Sequence, residues 1–153
     1  MRKVNIPKTL KAAVLTGINK PLELRNLEIN DLLPGQVLVK ILYSGVCRSQ
    51  LMEIEGKRGE DNWIPHLLGH EGSGIVIKVG SSVNKFQIGD EVILTWIKCE
   101  GLEEQGTEYL SQGEIINSGP VTTFSNYSVV SENRIIKKPK NLGFDTAILF
   151  GCA

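Results

Sequence analysis

Two of the three cysteines and one of the two histidines of this chain stand where a metal ligand could lie. Cys47, His70 and Cys152 each lie in a loop or at the expected end of an element. Two thiolates and a neutral imidazole balance the charge of Zn²⁺ and leave one tetrahedral position open, as in catalytic zinc sites. The three positions match no short zinc motif, however, and buried cysteines and histidines are common in protein cores. These residues alone therefore leave both a metal site and ordinary packing open.

Two charged neighbours strengthen the metal interpretation. Arg48 follows Cys47 directly, and a guanidinium next to a cysteine favours the thiolate that binds a metal. Glu71 follows His70, where a carboxylate can support a ligating imidazole or act as a transient further ligand.

The elements that must position these residues are mainly β-strands. Runs of β-branched residues, separated by glycine and proline turns, predict strands over 11–15, 22–27, 36–43, 73–79, 91–96, 124–130 and 134–138. Short strands at this spacing indicate a barrel or a sandwich. Two helices are predicted, 49–55 with Ser49 as N-cap and 145–152 with Asp145 as N-cap. The polar stretch between Lys98 and Gly119 is expected to be one long loop.

Composition and charge restrict the class of protein. The chain has 153 residues, 41% of them hydrophobic, and no linker-like stretch, so we expect one domain over 1–153. Seventeen basic side chains balance seventeen acidic ones, which argues against a nucleic-acid or anionic-membrane binder. Neither a membrane-spanning apolar run nor a signal peptide is recognisable. Three cysteines, an odd number, fit a reducing compartment, and we expect the cytoplasm.

The segment that begins at Gly69 makes the metal interpretation specific. Gly69-His70-Glu71, two residues, Gly74, five residues, Gly80, two residues and Val83 match every fixed position of the zinc alcohol dehydrogenase signature. The chain thus resembles the N-terminal catalytic domain of the medium-chain, zinc-dependent alcohol dehydrogenases, a GroES-like β-barrel. The likeness also covers residues 11–14, 45–49, 89–92 and 149–152.

The resemblance implies roles for particular residues. It implies that three side chains bind one catalytic zinc: Cys47, His70 and Cys152. Ser49 matches the hydroxyl that binds the substrate alcohol and starts a proton relay, Arg48 matches a position that reaches the cofactor pyrophosphate, and Glu71 matches a carboxylate near the metal. Zinc would then act as a Lewis acid on a small alcohol or aldehyde, with hydride passing to or from a nicotinamide.

The chain departs from the family pattern at several positions. Gln50 stands where many members have an aspartate that orients the ligating histidine, and Met52 stands where some have a relay histidine. Cys99 is a lone cysteine where the structural zinc lobe needs four, so we expect no structural zinc. His66 matches no ligand position and is expected to be a surface or packing residue.

The cofactor domain of the family has no counterpart in this sequence. A Gly-x-Gly-x-x-Gly turn between a strand and a helix is absent, so NAD or NADP would be held by a missing Rossmann domain. The sequence ends one residue after Cys152, and we expect the N-terminal portion of an enzyme that needs this second half, as a cofactor-domain partner or within a homo-oligomer.

Two other interpretations stay open. The chain could be a free-standing GroES-like module that binds zinc or a protein partner without catalysis. A member of the zinc-independent reductase branch is less consistent with the sequence, because that branch lacks the ligand cysteines. The side chains of Leu51, Trp63 and Trp96 could line a substrate pocket or belong to the core.

Overall fold

The computed structural model describes residues 6–152, and this part of the chain is mainly β. It contains ten strands: β1 Thr9–Leu15, β2 Glu23–Glu28, β3 Gln36–Ser44, β4 His66–Leu67, β5 Glu71–Val79, β6 Glu91–Thr95, β7 Glu108–Ser111, β8 Glu114–Asn117, β9 Tyr127–Ser131 and β10 Ile135–Lys137. Its helical elements are short: α1 Arg48–Ile54, α2 Phe144–Ala147, and 3₁₀ turns at Glu132–Arg134 and Ile148–Gly151. The predicted mainly β fold is confirmed.

The strands form a closed barrel and a second sheet. The barrel order is β1-β2-β7-β8-β4, and the second sheet has the order β10-β6-β5-β3-β9. Neighbouring strands are antiparallel except for the parallel pair β4 and β8. The predicted barrel is therefore present, with a five-stranded sheet packed beside it.

Strand β3 links the hydrophobic cores of the two sheets. Leu38 is buried in the barrel core, whereas Val37 and Val39 are buried in the core of the second sheet. Because successive side chains of a strand point to opposite faces, one β-branched run supplies both cores. This explains why β3 is apolar on both faces in its first half.

Glycine at position 74 lets β5 lie close against β3. A Cβ atom on Gly74 would lie 2.1 Å from the backbone oxygen of Lys40, a distance that no side chain tolerates. The fixed glycine of the signature thus has a packing role, and it sets the path of the strand that begins beside His70.

The predicted long loop over 98–119 is wrong in its second half. Residues 108–117 form the β7–β8 hairpin, which turns through the positive φ angles of Gln112 and Gly113. The hairpin forms because Tyr109 and Ile116 are fully buried in the barrel core, although both strands begin with an exposed glutamate and are short. Strand β4 was also missed, and the strand predicted from residue 124 begins at Tyr127.

Both predicted helix starts are also wrong. The N-cap of α1 is Cys47, so Ser49 lies inside the first turn, and the N-cap of α2 is Gly143 rather than Asp145. Residues 1–5, which belong to the amino-terminal stretch considered for a signal peptide, lie outside the described residues. Within residues 6–152, no helix combines the length and the apolar character needed to cross a membrane.

Candidate metal centre

Four side chains from three separate parts of the chain meet at one place. Cys47, His70, Glu71 and Cys152 each offer a ligand atom, and these atoms all lie within 4.8 Å of one another. Cys47 comes from the start of α1, His70 and Glu71 from the start of β5, and Cys152 from the end of the last 3₁₀ turn. The residues that the sequence predicts as ligands are thus close together, and their binding of a metal stays a prediction.

Glycines and backbone hydrogen bonds bring these segments close. The amide of Gly45 donates to the Glu71 carbonyl at 2.9 Å, and a Cβ on Gly45 would meet the Glu71 carboxylate. The Gly151 carbonyl accepts hydrogen bonds from the Trp96 amide and the Thr95 hydroxyl. These contacts fix the last turn against β6 and hold the Cys152 side chain next to Cys47.

The two thiols differ in their tendency to ionise. Hydrogen bonds from the Ser49 side chain and from the Ser49 backbone lower the pKa of Cys47 below its ordinary value, despite some burial. Burial and the neighbouring Cys47 raise the pKa of Cys152. Ser49, rather than Arg48, is therefore the main source of thiolate stabilisation, and Cys47 is the first of the pair to lose its proton.

Gln50 connects the helix cap to the histidine. Its Oε1 accepts the Cys47 backbone N–H at 2.9 Å, and its Nε2 donates to His70 Nδ1 at 2.5 Å. Nδ1 is an acceptor in this arrangement, so a neutral ring carries its proton on Nε2, which lies 3.7 Å from Glu71 Oε1. A metal bound through Nε2 would require the proton to move to Nδ1 and Gln50 to present its oxygen there.

A cavity of about 730 Å³ opens next to these residues. Its walls include Cys47, Ser49, His70 and Cys152, together with two tryptophans. Trp63 and Trp96 are more than half exposed and line the cavity, so neither belongs to the core, and the Trp96 ring centroid lies 6.1 Å from that of His70.

Two other predicted site residues lie on a smaller pocket nearby. Arg48 is exposed on the first turn of α1, and Leu51, also exposed, lines the same pocket of about 500 Å³. Leu51 therefore faces neither the core nor the larger cavity. Arg48 forms no ion pair among residues 6–152, which leaves its guanidinium available for an anionic group.

A second polar group on the cavity wall was missed by the sequence analysis. His66, predicted as a surface or packing residue, is buried, and its Nε2 lies 2.9 Å from Asp61 Oδ2 and 3.8 Å from Glu53 Oε1. The charged residues that follow α1 are typical of a solvent-exposed turn, so no sequence pattern indicated that Asp61 and Glu53 lie near His66. Cys99 belongs to neither group, and its Sγ lies 3.6 Å from the Ile97 carbonyl.

Known proteins share both the sequence pattern and the fold. Residues 33–140 match the family model of the alcohol dehydrogenase GroES-like domain. The S-(hydroxymethyl)glutathione dehydrogenase of Synechocystis sp. is 30% identical over 93% of this chain and 45% of its own length. The class-3 alcohol dehydrogenase of Dictyostelium discoideum is 31% identical over 94% of this chain and 44% of its own length.

Solved structures agree with these relatives. An alcohol dehydrogenase zinc-binding domain protein from Burkholderia ambifaria superposes with a TM-score of 0.81 at 25% identity, over 94% of this chain and 45% of that one. Benzyl alcohol dehydrogenase from Acinetobacter calcoaceticus gives a TM-score of 0.77 at 27% identity, over 95% and 45% respectively.

The fold and the matched region together define a GroES-like β-barrel domain of the alcohol dehydrogenase type. The chain belongs to the alcohol dehydrogenase GroES-like domain family, as the signature at residues 69–83 predicted. It spans about 45% of the length of the curated relatives cited here and matches their N-terminal part.

Proposed function

We propose that this chain is the metal-binding half of an alcohol dehydrogenase that interconverts small alcohols and aldehydes with NAD or NADP. The observation that carries the proposal is the convergence of Cys47, His70 and Cys152 from three distant parts of the chain. Sulfur and imidazole ligands suit Zn²⁺, and three protein ligands beside an open cavity are typical of catalytic rather than structural sites. Glu71, in the same group, would be a supporting carboxylate or a further ligand.

Cys47, His70 and Cys152 would hold the zinc, which would supply Lewis acidity toward a substrate oxygen in the cavity. The chain's own groups perform the remaining tasks. The Ser49 hydroxyl would accept the proton of the substrate alcohol, since it lines the cavity next to Cys47. Trp63 and Trp96 would restrict water around the reacting carbon. Met52 has no ionisable group, so the proton would leave by a path other than position 52.

The nicotinamide cofactor would be bound mainly by a further domain, in the same or another chain. Arg48 would contribute to it from this side, because an exposed guanidinium without a carboxylate partner among the described residues suits a pyrophosphate. Leu149 and Phe150 are more than half exposed on the last 3₁₀ turn, and a docking cofactor domain or a second copy of the chain would cover them.

The same proposal includes the broader properties expected from the sequence. We treat residues 1–153 as one domain, because β3 is shared between both cores. The three cysteines are free, which suits a reducing compartment such as the cytoplasm. The zero net charge offers no attraction to nucleic acid or to an anionic membrane.

Cobalt substitution tests this function without the cofactor domain. We expect the Co²⁺-loaded chain to show a visible spectrum that shifts when a small alcohol is added. Ser49→Ala should weaken that alcohol response about tenfold, which corresponds to the loss of one hydrogen bond. The response is compared at saturating Co²⁺, because loss of the Ser49 hydroxyl also removes the hydrogen bond that lowers the pKa of Cys47. Ser81→Ala is a matched control, because Ser81 is exposed and does not line the cavity.

The alternative is a zinc-binding module without catalysis, which the exposed Leu149 and Phe150 would also suit as a docking surface for a protein partner. In that case cobalt binds but its spectrum does not respond to any alcohol. This result would contradict the proposed dehydrogenase function and leave the metal site intact.

A further inference from the structure

We propose that Glu53, Asp61 and His66 form a second divalent-cation site, on the wall of the same cavity and separate from the thiolate group. Each offers one ligand atom, and the three atoms lie within 4.8 Å of one another. All three line the large cavity. The proposed dehydrogenase function uses none of them, so this inference is independent of it.

The distances between the ligand atoms suit a single cation. His66 Nε2 lies 2.9 Å from Asp61 Oδ2 and 3.8 Å from Glu53 Oε1. Ligands bound to one ion at about 2.1 Å are separated by about 3.0 Å in an octahedron and about 3.4 Å in a tetrahedron. The two observed separations bracket these values, so an ion can reach all three atoms after small side-chain movements.

Protons alone do not satisfy every polar group around the His66 ring, and a cation bound to Nε2 would do so. Nδ1 lies 2.9 Å from the Leu67 carbonyl, which only accepts, so Nδ1 carries a proton. Nε2 faces two carboxylates, which also only accept when ionised. A second proton on Nε2 would satisfy Asp61 alone, because Glu53 Oε1 at 3.8 Å is beyond hydrogen-bond distance. Glu53 Oε2 lies 3.6 Å from Arg58 Nη1, so a cation would bind Glu53 through its other oxygen, Oε1, together with Asp61 and His66 Nε2.

Neighbouring groups hold the ligands in place. Asp61 Oδ1 accepts the Trp63 amide at 2.9 Å, which directs Oδ2 toward His66. Side-chain exposure rises from 7% at His66 through 16% at Asp61 to 27% at Glu53, so the open side of the group faces the cavity. Water or a ligand could complete the coordination from that side. A hydrogen bond to the second oxygen of a carboxylate, like the one from the Trp63 amide to Asp61, is typical of metal ligands that are held in a fixed orientation.

The donor set indicates the class of cation. Two carboxylates and one neutral imidazole carry a charge of −2, which a divalent ion neutralises. Oxygen-rich sites with one imidazole suit Mn²⁺, Fe²⁺ or Zn²⁺, whereas the thiolate group prefers softer ions. Such an ion would join helix α1, which carries Glu53, to strand β4, which begins at His66.

Manganese binding to the whole chain tests the proposal. The thiolate group is first filled with one equivalent of Zn²⁺, and Mn²⁺ is then titrated while the free ion is measured by electron paramagnetic resonance. We expect one saturable Mn²⁺ per chain and a loss of affinity of at least about tenfold in Asp61→Asn. Glu60→Gln is the matched control, because Glu60 lines the same cavity outside the group and should leave the affinity unchanged.

Three further measurements keep the test decisive. Glu53→Gln should also weaken Mn²⁺ binding, which covers the case in which Asp61→Asn does not fold. The double variant Cys47→Ser, Cys152→Ser, titrated without added Zn²⁺, should bind Mn²⁺ as the unchanged chain does. Nitrogen NMR of His66, with diamagnetic Zn²⁺ added beyond the first equivalent, should show a proton on Nδ1 only.

Contrary results would overturn the inference. These are the absence of saturable Mn²⁺ binding, an unchanged affinity in both Asp61→Asn and Glu53→Gln, or a loss of binding in the cysteine variant. A His66 ring that keeps protons on both nitrogens with excess Zn²⁺ would identify the group as an ion pair instead.

Discussion

The thiolate group and the carboxylate group line one cavity but are assembled in opposite ways. Cys47, His70 and Cys152 come from three distant parts of the chain, and strand pairing together with the docking of Gly151 brings them close. Glu53, Asp61 and His66 lie within one short stretch, from the end of α1 to the start of β4. The geometry of the thiolate group, whose residues are far apart in sequence, therefore depends on the whole fold. The geometry of the carboxylate group depends on the turn between α1 and β4.

The two groups also differ in ligand chemistry. Sulfur ligands favour Zn²⁺ and other softer ions, and carboxylates favour harder ones, so each group should select its own cation within the shared cavity.

Loss of one thiolate should have the largest effect. Cys47→Ser removes the ligand with the lowered thiol pKa, and we expect Zn²⁺ affinity to fall at least about 100-fold, from the loss of a charged ligand to the metal. Competition with a chromophoric chelator measures this. Cys99→Ser is the matched control, because Cys99 lies in neither group. An equal loss in both variants would contradict the assignment.

Glu132 shows how a buried carboxylate can be held without any cation. Its Oε1 accepts the amides of Asn84 and Lys85, and its Oε2 accepts the amide of Leu102. Burial opposes ionisation, but the three backbone hydrogen bonds outweigh it and hold the pKa of Glu132 below its usual range. Glu53 and Asp61 lack such a set of backbone donors among the described residues, which is why a cation suits them.

Glu132→Gln should therefore destabilise the fold without affecting either metal. The new amide NH₂ would face a backbone N–H, and we expect a loss of about 1–3 kcal/mol in the free energy of unfolding at pH 7. Because the folded pKa is lowered, the contribution of Glu132 is present above its unfolded pKa and disappears as pH falls through the folded pKa. Denaturant unfolding at several pH values measures it. An unchanged stability at pH 7, or a difference that grows toward low pH, would be the contrary result.

Gln50→Asp should have the smallest effect of the three variants. Unlike Cys47→Ser, it should raise the Zn²⁺ affinity. A carboxylate offers only acceptors to His70 Nδ1, so the proton of the neutral ring would move from Nε2 to Nδ1 and leave Nε2 free for the metal. We expect Zn²⁺ affinity to rise about tenfold. The metal-free chain should become less stable, because position 50 is 3% exposed and a carboxylate there would be buried.

Gln50→Asn is the matched control for that variant, since asparagine has the same length as aspartate without the charge. It should bind Zn²⁺ no more tightly than the unchanged chain. Equal affinities in the aspartate and asparagine variants would show that the hydrogen bond to His70 does not control the site.

The sequence predicted the features that rest on regular patterns. Short β-branched runs between glycine and proline turns indicated a barrel or a sandwich, and the spaced signature at residues 69–83 indicated the family that the matched model shows. The β7–β8 hairpin was missed because its buried apolar residues, Tyr109 and Ile116, are next to the less buried Leu110 and Ile115, which blurs the alternation of a strand. Two buried side chains in strands this short give no periodic signal.

The polar network around the site could not be predicted, because it depends on side-chain orientation. Position 50 was recognised as unusual, but only the structure shows that its amide oxygen caps α1 and its nitrogen faces His70. The meeting of Asp61 with His66 likewise depends on the path of the turn after α1. Neither arrangement follows from residue type or spacing.

The most direct test of the account is X-ray absorption at the zinc edge, on the chain loaded with one equivalent of Zn²⁺. We expect two sulfur ligands, from Cys47 and Cys152, and at least one nitrogen ligand, from His70. A zinc ion surrounded only by nitrogen and oxygen would contradict it.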